Sequence, residues 1–279
     1  MQIGLIAVDM DGTLLNPDSK ISAKDAQALR DAARAGIGVA ICSGRMPEDI
    51  DYHAAEADLD CWVSGANGCR VYDAPYGKLV EEHRLDTRAA LACIDLLGQF
   101  KGRGLVLHAG VGADVALSHV PQDEWYTQWL QKRERRGRSP ARFGIAALRK
   151  AAEAGIHNML VSIEGEEDDG ALAEAAALFR SLAGVEITSS WEYNFEVLPA
   201  GVNKGTSLAK LAARLGVPRE RVMAIGDQEN DREMLLWAGY GVAMGNAIPE
   251  IQAISRFVTA DNASHGVAEA VGRVVNSFN

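Results

Sequence analysis

The sequence predicts an α/β fold in which a parallel sheet alternating with helices is interrupted by a second, α+β module. Three observations carry this. Short apolar runs alternate with helix-length amphipathic stretches up to Ser64, the rhythm changes near Asp86, and it returns near Tyr193. Strands separated by helices of that length imply βαβ units, and βαβ units imply parallel pairing.

Taken in order, residues 3–9 are apolar almost throughout and read as a buried strand. Ser22, with Asp25 three residues on, is placed as the N-cap of a helix that ends at Gly36. Residues 37–43 form a second buried strand, Pro47 opens the next helix, and residues 61–64 form a third strand. Asn67-Gly68 is a hairpin-type turn joining residues 61–64 to a strand over 69–72. The second module then reads as helix 87–98, strands 105–109 and 115–117, helices 124–136 and 146–155, strand 158–163, an alanine-rich helix ending near Leu182, and strand 185–188. The first rhythm resumes with strand 195–198, helix 204–215, strand 221–225, helix 231–238, short strands 240–243 and 257–259 around a helix opened by Pro249, and a final helix. The expected domains are therefore a discontinuous one, residues 1–84 with 191–279, and an inserted one, residues 85–190.

Composition narrows the class of function. Of 279 residues, 48% are hydrophobic and 24% charged, which places the chain among ordinary globular proteins. The longest uncharged apolar runs, 3–8 and 37–42, fall far short of a membrane span, and no basic, then apolar, leader opens the sequence. The 28 Lys and Arg against 38 Asp and Glu leave a formal charge of −10, which argues against nucleic acid or an anionic membrane as partner. Cys42, Cys61, Cys69 and Cys93 show no metal-ligand spacing and read as reduced, buried thiols. The balance fits a cytoplasmic enzyme, expected as a monomer or homodimer; a small anionic substrate stays open and would need local compensation by a metal or a few cations.

Open parallel sheets bind ligands at the carboxyl ends of their strands. Three clusters fall at such ends: Asp9-Met10-Asp11-Gly12-Thr13, Ser43-Gly44-Arg45, and Gly226-Asp227-Gln228-Glu229-Asn230-Asp231. Lys204 opens the helix after strand 195–198. Carboxylates as dense as Asp9, Asp11, Asp227 and Asp231 repel one another unless a cation intervenes, and an all-oxygen donor set suits a hard divalent ion, Mg²⁺ above all. Lys204 and Ser43 add a fixed positive charge and a hydroxyl donor for phosphoryl oxygens, and Gly12 permits a sharp turn. The constellation reads as metal-assisted phosphoryl transfer.

These segments resemble the haloacid dehalogenase superfamily of phosphotransferases. Residues 9–13 are similar to its DxDGT signature, residues 43–45 to its second motif, Gly201-Val202-Asn203-Lys204-Gly205 to its third, and residues 226–231 to its fourth, GDxxND. Ser64-Gly65-Ala66-Asn67-Gly68 resembles the NGA-like turn of the Cof-type subgroup, with Cys69 in place of alanine. His265-Gly266-Val267-Ala268 resembles that subgroup's DGVA ending, with histidine in place of aspartate. The position of the insert, between the second and third motifs, resembles a C2 cap. The resemblance thus implies a Rossmann-like core carrying an α+β cap of the C2B type.

It also implies residue roles. Asp9 would be the nucleophile that takes the phosphoryl group, and Asp11 the acid that protonates the leaving oxygen and later activates water. Mg²⁺ would be held by Asp9, the main-chain carbonyl of Asp11, Asp227 and Asp231. Ser43 and Lys204 would neutralise the transferring group, with substrate contacts from Ser43, Gly44, Arg45, Asn67, Lys204 and Asn230. Arg45 is equally open to a structural ion pair. The basic run over residues 132–138 reads as a solvated helix face more readily than as a second anion site. The implied activity is hydrolysis of a small phosphorylated metabolite such as a sugar phosphate. A phosphomutase using the same aspartyl-phosphate, and a receiver-like signalling module, are the rival readings.

Overall fold

The structure is a computed structural model that describes residues 3–122, 124–164 and 170–275. It divides into two compact units, residues 1–82 with 202–279, and residues 83–201.

The first unit opens with β1 (Leu5–Val8), α1 (Ala23–Arg34), β2 (Gly38–Cys42), α2 (Pro47–Glu56), β3 (Trp62–Gly65), β4 (Arg70–Tyr72) and β5 (Leu79–Glu82). The second consists of α3 (Thr87–Leu97), β6 (Leu105–Val111), β7 (Asp114–Leu117), α4 (Glu124–Arg135), β8 (Arg142–Phe143), α5 (Ile145–Ala154), β9 (Asn158–Ile163), α6 (Ala171–Arg180), β10 (Val185–Thr188) and β11 (Asn194–Pro199). The first is completed by α7 (Lys204–Arg214), β12 (Val222–Gly226), α8 (Arg232–Trp237), β13 (Tyr240–Ala243), α9 (Pro249–Ile254), β14 (Phe257–Val258) and α10 (Gly266–Val275).

In the first unit the strands form one sheet in the order β14-β13-β12-β1-β2-β3-β4-β5. Pairing is parallel from β14 through β3 and antiparallel across β3-β4-β5. Helices cover both faces of a parallel sheet, which is why β1 and β12 are apolar at every position and fully buried. Caps start the helices where the sequence places them. The Ser22 hydroxyl accepts the Asp25 N–H at 3.1 Å, and Pro47 stands in the first turn of α2. The Asn67-Gly68 turn does join two antiparallel strands, β3 and β4. Among the described residues, no helix is long and apolar enough to cross a membrane.

The second unit holds a sheet in the order β10-β11-β9-β6-β7-β8, antiparallel except for β7-β8. Alternation along β6 builds two cores. Leu105, Leu107 and Ala109 face α3, α5 and α6, while Val106 packs on the other side with Leu117 and Tyr126 of α4. His108 is buried on that same side, its Nε2 bonded to the Tyr126 hydroxyl at 2.5 Å. That hydroxyl in turn meets Ser162 Oγ, and Trp129 lies edge-on to the imidazole at 5.7 Å.

Two expectations are corrected here. Strand 195–198 does not resume the parallel sheet: β11 lies between β10 and β9, antiparallel to both. The unit therefore ends at Gly201 rather than at residue 190. The physical reason is burial on both faces. Phe195, Glu196, Val197 and Leu198 are all buried, and a central antiparallel strand with that pattern looks like a parallel one in sequence. β5 and β8 had no sequence signal because both are short, largely exposed edge strands.

Burial, with His119 nearby, pulls the His108 pKa from its ordinary 6.5 down to about 3, so the folded protein keeps this imidazole neutral. The unfolded chain binds the extra proton between those values. The stability that His108 contributes is therefore full above pH 6.5 and lost as pH falls towards 3, at about 1.4 kcal/mol per pH unit. In denaturant unfolding at pH 7 and pH 5, the unmodified chain should lose stability relative to His108→Gln, which cannot titrate, by about that slope; an unchanged difference between the two would show that His108 is not kept neutral.

Candidate active site

β1, β2 and β12 run parallel, with Val8 level with Ile41 on one side and Ile225 on the other. The residues that follow these strands therefore emerge together at one edge of the sheet: Asp9, Ser43 and Asp227. Lys204 is the first residue of α7. A reciprocal cap fixes where that helix begins: the Thr206 N–H donates to Asn203 Oδ1 at 2.8 Å and the Asn203 N–H to Thr206 Oγ1 at 3.0 Å.

Four ionisable groups meet at that edge, all buried. Lys204 Nζ donates to Asp9 Oδ1 at 2.5 Å and to Asp231 Oδ1 at 2.6 Å. The other Asp231 oxygen accepts the N–H groups of Asp227 and Gln228 at 2.9 and 3.1 Å. Asp227 Oδ1 accepts the Thr13 hydroxyl at 2.8 Å. Asp9, Asp227 and Asp231 each offer an oxygen within 4.8 Å of the others.

Three carboxylates thus share one ammonium, and the electrostatics follow. Burial, then the Asp231 charge, pushes the Asp9 carboxyl well above the usual range, with Lys204 opposing. Burial and Asp231 likewise push Asp227 up to about 7, the Thr13 hydrogen bond pulling the other way. Lys204 stays protonated: burial disfavours its charge, but Asp231 and Asp9 raise its pKa beyond that penalty. The cluster is short of positive charge and built only of oxygen donors, so a hard divalent cation fits it.

The remaining expected residues fall into two groups. Ser43, Gly44, Asn67 and Asn230 flank the cluster. The Ser43 N–H donates to Ser64 O and the Asn67 N–H to Ser43 O, both at 2.9 Å, and Gly44 is half-buried between Ser43 and Arg45. Asn230 Nδ2 reaches Asn67 Oδ1 at 3.2 Å. Asn67 has φ +53° and lies between Ala66 and Gly68, also at positive φ, so the turn turns back sharply under the Ser43 loop. Asp11 and Arg45 form the second group. Arg45 Nε and Nη2 donate to the two Asp11 oxygens at 2.6 Å each, a forked pair outside the carboxylate cluster. The ion pair is one of the two uses left open for Arg45.

Four further residues carry no assignment from sequence. Thr13 anchors Asp227, and its only signal is the hydroxyl two residues beyond Asp11. Ser64 and Ser207 join β3 to α7 by a 2.8 Å hydroxyl bond, which two lone serines far apart in sequence cannot announce. Asn246 donates to the Gly12 carbonyl at 2.8 Å from the loop after β13, and the signal there is its place at the carboxyl end of a strand. Gly12 itself admits no side chain. It has φ +77°, and a Cβ would stand 2.3 Å from Asp227 Oδ2.

Comparison with known proteins follows the same lines. The sequence pattern of the haloacid dehalogenase-like hydrolase family matches residues 6–271. Phosphatase YwpJ of Bacillus subtilis (strain 168) is 31% identical over 284 residues, 95% of this chain and 97% of that one. The 5-amino-6-(5-phospho-D-ribitylamino)uracil phosphatase YwtE of the same organism is 32% identical over 293 residues, 97% of this chain and 98% of that one. A solved haloacid dehalogenase-like hydrolase from B. subtilis superposes with a TM-score of 0.79 at 29% identity, covering 98% of this chain and 100% of that one.

Removing the shared ammonium tests the electrostatic account. In chelator at pH 8, Lys204→Met should lower stability by about 3 kcal/mol, because two buried carboxylates lose their counter-ion. At pH 5 the loss should shrink as Asp9, whose carboxyl burial pushes well above the usual range, takes up a proton. Denaturant unfolding reads both, and an equal loss at the two pH values would show that Lys204 is not their counter-ion.

Proposed function

The chain belongs to the haloacid dehalogenase-like hydrolases and is a phosphatase, and from that premise we propose that it hydrolyses a small phosphomonoester, such as a sugar phosphate, through an aspartyl-phosphate on Asp9 with Mg²⁺ as cofactor. The observation that carries this reading is the meeting of Asp9, Asp227, Asp231 and Lys204 at one edge of the parallel sheet.

Asp9, Asp227 and Asp231, with the main-chain carbonyl of Asp11, would hold the cation. When bound, it supplies charge neutralisation for the phosphoryl oxygens. An Asp9 oxygen attacks phosphorus in line, the ester P–O bond breaks, and the departing alkoxide takes a proton from Asp11. Asp11 then draws a proton from water, whose oxygen displaces Asp9 and releases inorganic phosphate. Lys204 holds Asp9 in place for the attack and offsets charge on the transferring group, and Ser43 and Asn67 supply donors to its oxygens. In this sequence of steps Asp11 must leave the Arg45 fork and take up a proton from solvent before the ester bond breaks. An arriving phosphate dianion beside Arg45 competes for the same guanidinium and so promotes that release. We place the enzyme in the cytoplasm, as a monomer or homodimer, with no nucleic-acid or membrane partner.

The test is phosphate release from a broad panel of phosphorylated metabolites with Mg²⁺. Asp9→Asn should abolish turnover, EDTA should do the same, and Lys204→Met should slow it roughly 10²–10³-fold, as for other preorganised charge-stabilising groups. Release that persists in Asp9→Asn would rule out the covalent step. Phosphorylation of Asp9 without release of free phosphate would point instead to transfer onto a second substrate.

A further inference from the structure

Two loops at the sheet edge supply no carboxylate yet grip the segments that do. Asn246, in the loop after β13, donates from Nδ2 to the Gly12 carbonyl at 2.8 Å and accepts the Asn262 N–H on Oδ1 at 3.0 Å. Both partners have a fixed character, so the amide's orientation is determined. Asn262, in the loop after β14, completes the chain of bonds by donating from Nδ2 to the Leu15 carbonyl at 2.8 Å. Two residues beyond Asn246, the Ile248 N–H donates to the Asp227 carbonyl at 3.1 Å.

The three-residue segment 246–248 therefore holds Gly12 at one end and Asp227 at the other. Those two residues pack without slack, since even a Cβ on Gly12 would overlap the Asp227 carboxylate. The next residue, Thr13, bonds that same carboxylate. A shift of the Gly12 peptide moves Thr13, and with it the orientation of Asp227. Asn246 is exposed, so apolar packing does not explain its position; its bonds do.

We propose that Asn246, braced by Asn262, is a positioning residue for the divalent-cation site of Asp9, Asp227 and Asp231, setting the orientation of Asp227 through the Gly12-Thr13 turn. The inference rests on the reading of that cluster as a cation site but not on any substrate or covalent step. Groups that orient metal ligands without touching the metal are worth roughly 10–100-fold in affinity.

The experiment measures Mn²⁺ binding to the full chain by electron paramagnetic resonance, and Mg²⁺ binding by calorimetry, with no substrate present and well below the melting temperature. Asn246→Ala should weaken both about 10–100-fold while circular dichroism stays that of the unmodified chain. Asn246→Asp keeps the acceptor for Asn262 and loses the donor to Gly12. Its extra negative charge alone would tighten cation binding, so weaker binding in this variant isolates positioning from charge. Unchanged affinity in Asn246→Ala overturns the inference, and if that variant does not fold, Asn246→Asp decides by the same criterion. Absence of binding to the unmodified chain, or binding indifferent to Asp227→Asn, overturns the cation reading itself.

Discussion

One ammonium buried among three carboxylates is the constraint to which the first unit is built. A charge sequestered from water must be met by charges of the opposite sign at hydrogen-bond distance, and Lys204 meets two, on Asp9 and Asp231. Satisfying that requirement brings together the ends of β1 and β12 and the start of α7, from segments nearly two hundred residues apart. The parallel sheet makes it possible. Parallel strands in register deliver their carboxyl ends to one edge, and the reciprocal cap of Asn203 and Thr206 holds the lysine against that edge.

Much of this was legible in the sequence, for a reason that can be stated residue by residue. Asp9, Ser43 and Asp227 each follow a short apolar strand, and chemistry at a sheet edge demands particular residue types at those points. What stayed hidden depended on partners distant in sequence. Arg45 could have met a substrate or an acid, and only the folded loop pairs it with Asp11. Asn246 carries no charge, and its importance lies in a carbonyl more than two hundred residues away. β11 misled because a strand buried on both faces has no alternation to reveal its neighbours' direction.

The second unit solves a different problem with other means. Its sheet carries helices on both faces, and the side covered by α4 includes a polar chain of His108, Tyr126 and Ser162 among apolar residues. Such a chain is stable only when each member finds its partner, so it ties α4 to β6 and β9 in one register. Apolar contacts alone would allow the helix to slide. The directional bonds do not.

The order of segments along the chain also has a consequence for how the protein is made. β1 is a central strand, yet one of its two neighbours, β12, follows the whole inserted unit. On the ribosome, β1 therefore emerges with one edge open and remains so while the inserted unit, whose sheet is made only of its own strands, can already be complete. An unpaired apolar edge invites pairing with other chains. Over the same interval Asp9 remains without Lys204, so the nascent carboxylate keeps its water and the end of β1 stays solvated. The ion pair between Asp9 and Lys204 can thus form only after the whole inserted unit has been made.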